Sequence, residues 1–342
     1  MNSSAQFLNP SEAARRLGVS AKALRLYEQR GLIQPLRTQA GWRIYGPTEM
    51  DRAAEIAALR QLGLSLAEVT RVLKGDPEAL KPALAAHQAM LESQVRQLAG
   101  TVDKVRAIRA NLTAGHVPTA GQIAQLMRPA SETVIAFDLP WPWGGERFEL
   151  SDIRPLNYII GPLGSGKTRL AIAIATALPD AAYIGLERSA GGNGKSRIDV
   201  DPALKLRVDQ ALAWLVDDGA TASPALIALL VAMESTISAI LVVDMVEQGL
   251  DQASQEALIA YLRRRAPDSP SLFLMTRSSA ILDLSAVPLD ETILFCPANH
   301  SPPIRVAPYP GTPGYEAVAS CLGSPEVRAR TEGVIAWRPR VA

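Results

Sequence analysis

Residues 159–168 read IIGPLGSGKT, and these ten residues constrain the fold of everything around them. The run NYII (157–160) has the makings of a short buried strand. GPLGSGKT matches G-x-x-x-x-G-K-[ST], and RLAIAIATAL after it reads as a helix. Strand, loop and helix form the context in which such a loop closes backbone N–H groups around phosphate oxygens at a helix N-terminus. Gly161, Gly164 and Gly166, with Ser165 among them, supply the loop. Lys167 brings a point charge to the phosphates, and Thr168 offers a hydroxyl to Mg²⁺. An α/β P-loop domain is therefore expected over residues 131–342, with ATP or a related nucleotide and Mg²⁺ as its cofactors.

Further along, SAILVVDMVEQGLD holds an apolar strand ending in Asp244, whose carboxylate suits the same Mg²⁺. DMVEQGLD aligns without a gap on the DEPxxGLD pattern, so the body resembles the ABC-type ATPases; Asp251 falls in the turn those proteins use at a dimer interface. SLFLMTRSS stands where that family has a strand ending in Thr-His. The departures are specific. Met245 occupies the place of the catalytic glutamate and cannot accept a proton from water. Arg277 replaces the switch histidine, and ATASPALIALLVAM fills the place of the LSGGQ signature. The parts for binding are present and three parts for fast hydrolysis are not, so a slow ATPase is the most this chain is expected to be.

Glu187, after the strand-like AAYIG, is the candidate catalytic base by analogy with RecA-type ATPases; a surface glutamate at a strand end is the plainer reading. Glu247 lies farther out in its turn. Arg188 and Arg277 are candidates to sense the γ-phosphate. Trp141 and Trp143, in FDLPWPWGGERFELSD, lie about 25 residues before Lys167. ABC-type sites often stack adenine on an aromatic near there, whereas tryptophans in a Pro-rich hairpin commonly serve packing. GGNGKSRIDVD reads as a Gly-rich polar loop near the site, and PANHSPPIRVAPYPGTPG as irregular strand and loop without evident chemistry.

The first 75 residues are of another kind. They carry 11 Lys/Arg against 6 Asp/Glu, a net +5, which leaves −4 for the rest of a chain whose total is +1. NPSEAARRLGVSAKALRLYEQRGLI has helix–turn–helix punctuation. Ser11 can cap a first helix that Gly18 breaks, and Ser20 can cap a second that ends at Gly31. TQAGWRIYGPTEM reads as a wing. DRAAEIAALRQLGLSLAEVTRVL gives two more helices, the second with a Ser65/Glu68 capping box. ALRLYEQRGLI, GWRIYGPTEMDR and LRQLGLSLAEV together resemble the MerR family of transcription regulators, with Leu26 where that family usually has a tyrosine. The resemblance implies that Lys22, Arg25 and Tyr27 on the recognition helix, and Arg43 and Tyr45 in the wing, touch DNA. Tyr27 has an alternative role as core, and Trp42 is expected to pack within the wing.

Leu84, Leu91, Leu98, Val105 and Leu112 recur every seven residues, with Val95 and Val102 between them. This stripe predicts a coiled coil. In the MerR family the coil at this position is antiparallel and makes a homodimer, which implies a near-palindromic promoter site in double-stranded DNA and an indirect effect on RNA polymerase. The expected organisation is an all-α winged helix–turn–helix head (1–78), a dimerisation helix (79–113), a linker holding one short helix (114–130) and the ABC-like body (131–342). Metal- and redox-sensing relatives carry cysteines near the end of the dimerisation helix. Here the two cysteines are Cys296 and Cys321, so the signal is expected to enter through the body. No apolar run suits a membrane span and the start lacks a secretory pattern, so a cytoplasmic protein without membrane contact is expected. Two further readings stay open: a DNA-tethered ATPase using Glu187, and a regulator whose P-loop domain no longer binds nucleotide and docks a protein.

Overall fold

The computed structural model describes residues 7–113, 135–189, 200–265, 269–288 and 290–324. In the head, α1 (Pro10–Leu17) and α2 (Ala21–Gln29) form the helix pair. Asn9, not Ser11, caps α1: its side chain accepts from Glu12 N–H while Glu12 reaches back to the cap, and Pro10 fills the first helical position. Gly18 stops α1 at φ 66°, and Ser20 caps α2 through Ala23 N–H. A two-residue hairpin follows, β1 (Leu36–Arg37) antiparallel to β2 (Arg43–Ile44), so the head is not wholly helical. Next come α3 (Pro47–Gln61) and α4 (Leu66–Leu73), whose start has the expected Ser65/Glu68 box. Leu24, Tyr27, Tyr45, Ile56 and Leu64 fill this small core.

A single helix, α5 (Leu80–Thr113), leaves the head. Its 34 residues span about 51 Å at 1.5 Å per residue. Leu84, Leu91, Val95, Val102, Val105 and Leu112 are all exposed along it; the side chain of Leu98 and the expected linker lie outside the described residues.

The body is a three-layer α/β unit. β3 (Ile135–Asp138) and β4 (Arg147–Leu150) make the hairpin read from FDLPWPWGGERFELSD. The main sheet comprises β5 (Leu156–Ile160), β6 (Ala181–Ile184), β7 (Ile240–Val243), β8 (Ser271–Met275), β9 (Glu291–Phe295) and β10 (Ile304–Val306). Its order is β10-β9-β5-β8-β7-β6, parallel except for the antiparallel edge strand β10. Alternate residues point to opposite faces. Tyr158, Ile160, Leu241, Val243, Leu272 and Leu274 meet one core, while Ile159, Val242, Phe273 and Met275 meet the other. Both faces are buried, which is why these strands read as unbroken apolar runs. The helix α6 (Lys167–Ala177) and the β3–β4 hairpin cover the second face. The helices α7 (Pro202–Asp217), α8 (Pro224–Glu234) and α9 (Gln252–Arg263) cover the first. PANHSPPIRVAPYPGTPG is more regular than its composition suggests, contributing β10, and it leads into α10 (Tyr315–Cys321). Of GGNGKSRIDVD, expected to be a polar loop, residues 191–199 lie outside the described residues.

Candidate functional site

The P-loop leaves the carboxyl end of β5, at the sheet centre, where open α/β sheets bind ligands. Its path is set by tight packing. A Cβ on Gly161 would stand 2.4 Å from the Cys296 carbonyl oxygen, and one on Gly166 would stand 2.6 Å from the Trp143 ring. Gly164 and Gly166 hold φ of 80° and 91°, left-handed conformations that L side chains rarely adopt. Trp143 is thereby explained. It is buried, its Nε1 donates to Ser301 O at 3.0 Å, and its ring supports the loop from below, so it does not present an open stacking face. Trp141 is 77% exposed and lines the cavity in front of the loop.

That cavity is about 1360 Å³. Lys167, Thr168, Asp244, Glu247 and Arg277 converge on it from α6 and from the carboxyl ends of β7 and β8. Lys167 is 8% exposed, and its Nζ donates to Gly161 O at 2.8 Å and Pro162 O at 2.7 Å. Burial holds its ammonium below the ordinary lysine value, and the Arg277 guanidinium acts in the same direction. Thr168 Oγ1 lies 3.5 Å from Asp244 Oδ2, which also accepts from the Tyr183 hydroxyl at 2.8 Å. Burial and that carboxylate keep the Tyr183 phenol protonated well above its ordinary range.

Asp244 Oδ1, Ser165 Oγ and Arg277 Nε are buried without a hydrogen-bond partner. Such groups cost roughly 1–3 kcal/mol each when left unmet. A carboxylate beside a threonine hydroxyl, a buried lysine and a guanidinium match the donors and acceptors of a magnesium-bound polyphosphate, so the residues present fit that group.

The other acids divide sharply. Glu187 sits in a 3₁₀ turn (Leu186–Ser189), is exposed, and does not line the cavity. The chain turns outward after β6, and a strand-end analogy could not show that. Glu247 is 3% exposed, lines the cavity, and accepts the Arg277 N–H at 3.0 Å. Arg188 does not line the cavity. Its guanidinium donates to the carbonyls of Gly185, Asp244 and Met245, clamping the turn in which Met245 takes φ 42°. Sequence reasoning also missed Gln255 and the segment Cys321–Gly323. Gln255 lines the cavity through α9, and the segment arrives through pairing of Ser278 with Gly323. No local pattern marked either one. His300 Nε2 lies 3.1 Å from Gly164 O, bracing the loop from the C-terminal side.

In the head, Lys22 and Arg25 lie on the exposed side of α2. Tyr27 is 4% exposed, and burial raises its phenol above the ordinary value, so it serves the core. Tyr45 is 1% exposed and its hydroxyl donates to Glu28 Oε1. Arg43 Nε donates to Glu28 Oε2 at 2.7 Å. Glu28 thus fastens the hairpin to α2, and of the two hairpin residues expected at DNA only Arg43 keeps a partly open side chain. Trp42, expected to pack, is 75% exposed at the hairpin tip.

A family model described as "MerR HTH family regulatory protein" matches residues 8–76. A "Probable heavy metal-dependent transcriptional regulator" of Haemophilus influenzae is 36% identical over 106 residues, 29% of this chain and 83% of that protein. The chain belongs to the MerR family. A second MerR-region relative, "HTH-type transcriptional regulator CueR" of Vibrio cholerae, is 38% identical over 82 residues, 23% of this chain and 59% of that protein. The MerR family model thus covers only the N-terminal part of the chain, residues 8–76. Among solved structures, an ATP-binding cassette of an ABC transporter in its ADP conformation matches with 14% identity and a TM-score of 0.37, covering 60% of this chain and all of that one. Among the described residues no group of three metal-ligating side chains occurs, and no helix is long and apolar enough to cross a membrane.

Proposed function

We propose that this MerR-family chain is a dimeric transcription regulator whose C-terminal ABC-like P-loop body binds ATP or a related nucleotide with Mg²⁺ as its signal and hydrolyses it slowly or not at all. The observation that carries this reading is the convergence of Lys167, Thr168 and Asp244 on one cavity whose neighbouring residue is Met245. Lys167 would hold the β- and γ-phosphates, and Thr168 and Asp244 would hold Mg²⁺. The bound metal would neutralise phosphate charge. Arg277, which lines the same cavity, would supply a second cation. Met245 offers no proton acceptor, so bound nucleotide persists and acts through differential affinity for two conformations.

On the DNA side, Lys22, Arg25 and Arg43 would meet phosphate and base edges. The exposed stripe on α5 would pair with its copy in an antiparallel coiled coil. Two heads then read a near-palindromic promoter site, with RNA polymerase affected through the DNA. The proposed units are the head to residue 78, the dimerisation helix to 113, the linker to 130 and the body beyond. A cytoplasmic location follows from that role.

One observation favours a second reading. Glu247 is buried at the cavity wall, so any turnover would use it rather than Glu187. Isothermal titration with ATP and Mg²⁺, followed by single-turnover assay, tests both readings. The sensor reading expects saturable binding and retained γ-phosphate. Lys167→Ala should weaken binding about tenfold or more, the loss of a charge-assisted contact worth roughly 1.5–3 kcal/mol. Equal binding by wild type and Lys167→Ala would sink it. Rapid turnover abolished by Glu247→Gln would establish the second.

A further inference from the structure

The loop that leaves the nucleotide cavity also holds the DNA-reading helix. Lys22 Nζ, on α2, donates to Ser279 O at 2.8 Å and lies 4.0 Å from the Asp283 carboxylate. Ser279 is two residues past Arg277, at the end of the segment that exits β8. That segment is tied to the cavity wall at several points. Arg277 N–H donates to Glu247, Ser278 Oγ to Gln255 Oε1 at 2.5 Å, Gly323 N–H to Arg277 O, and Ser279 N–H to Gly323 O. Glu247, Gln255, Arg277 and Gly323 all line the cavity.

The head is anchored on the body beside this contact. Arg60 of α3 makes a two-pronged pair with Asp218, at 2.5 and 3.0 Å, and Asp218 Oδ1 also accepts Leu66 N–H at 2.8 Å. Asp218 is 3% exposed, so its carboxylate is closed to water and removing its partner is costly. Arg264 of the body stacks on Trp214 at 4.8 Å, next to Gly63 of the head.

We propose that this docking is an autoinhibitory latch released by nucleotide: the body holds Lys22 and sets the Asp283 carboxylate where a DNA phosphate would come. The proposal rests on the reading of the P-loop as a nucleotide site and of α2 as the DNA reader. Phosphate in the cavity would draw the Arg277 guanidinium, whose Nε has no partner where it stands. Moving Arg277 strains the Ser278–Ser279 turn that grips Lys22. By linkage, nucleotide then strengthens DNA binding, and DNA strengthens nucleotide binding by the same factor.

A Cβ on Gly63 would lie 3.5 Å from Arg264 Cβ, within disulfide range, although Gly63 holds a φ of 86° that a cysteine adopts only with strain. The test is the full-length Gly63→Cys/Arg264→Cys protein, oxidised and reduced, beside wild type treated identically. The DNA probe is a duplex selected from a random-sequence pool by the reduced variant. The nucleotide probe is a non-hydrolysable ATP analogue with Mg²⁺. The latch expects the cross-link to form under mild oxidation, to lower duplex affinity at least fivefold, and to abolish the gain that the analogue gives the reduced protein. Asp218→Ala should bind duplex tightly with or without the analogue. Equal duplex affinity of the cross-linked and reduced protein, or an Asp218→Ala protein that still needs the analogue to bind duplex tightly, overturns the latch. Absence of analogue binding to wild type by calorimetry would instead remove the nucleotide reading, while the oxidised-against-reduced comparison still decides whether docking blocks DNA.

Discussion

At the scale of single residues, position relative to the backbone turn decided roles that residue type left open. Glu187 and Glu247 are both acids a few residues past a strand, yet one faces solvent and the other lines the cavity. Tyr27, Tyr45 and Trp42 are all aromatic residues of the head, yet only Trp42 stands exposed. An exposed indole at the tip of a hairpin, with its backbone tied to Thr38, is available to nucleic acid without being needed for the core. Trp42→Ala is therefore expected to weaken duplex binding several-fold in an anisotropy titration while leaving the melting temperature within about a degree, since exposed substitutions cost about 0.5 kcal/mol or less. Cys296 shows the converse: burial pushes its thiol up to about 12, which leaves it an unreactive wall beside Gly161.

At the scale of elements, helix caps were readable because their chemistry is local. Ser20 and Ser65 cap the helices they were expected to cap; Asn9 displaced Ser11 because Pro10 occupies the first helical position. Asp251 caps α9, accepting Ser254 N–H at 2.7 Å and the Thr221 hydroxyl at 2.7 Å. Partial burial works to raise its carboxyl, but these hydrogen bonds bring it below the ordinary value. Its contribution to stability is thus complete above the unfolded pKa near 4 and is lost as pH falls through the lower folded value. Asp251→Ala should cost about 1 kcal/mol in urea unfolding at pH 7, and the difference from wild type should shrink toward pH 2. The α5 stripe makes a separate prediction. Leu91→Asp, on an exposed face, should leave the helical circular dichroism of the chain nearly unchanged while raising the dissociation constant of the proposed α5-mediated dimer at least tenfold in sedimentation equilibrium.

For the whole molecule, charge is partitioned between a head of net +5 and a remainder of −4. DNA affinity should fall steeply with salt, because phosphate contacts release counterions, and Arg25→Ala should reduce the magnitude of the log–log slope by about 1. An unchanged slope would take Arg25 off the phosphate backbone. The α/β body, its P-loop and its Asp244 strand were legible in the sequence, since a strand buried on both faces and a glycine-rich loop before a helix each leave a contiguous pattern. So were the helix–turn–helix head and the one long helix α5. The cavity wall was not, because Gln255, Arg277 and Gly323 meet only where α9, the β8 exit and the segment after α10 converge. Nor was the contact of Lys22 with Ser279, or of Arg60 with Asp218, pairs separated by 257 and 158 residues. Chemistry that needs a few consecutive residues is written along the chain. Whether the head sits free or against the body depends on distant side chains becoming neighbours, and only tertiary packing sets that.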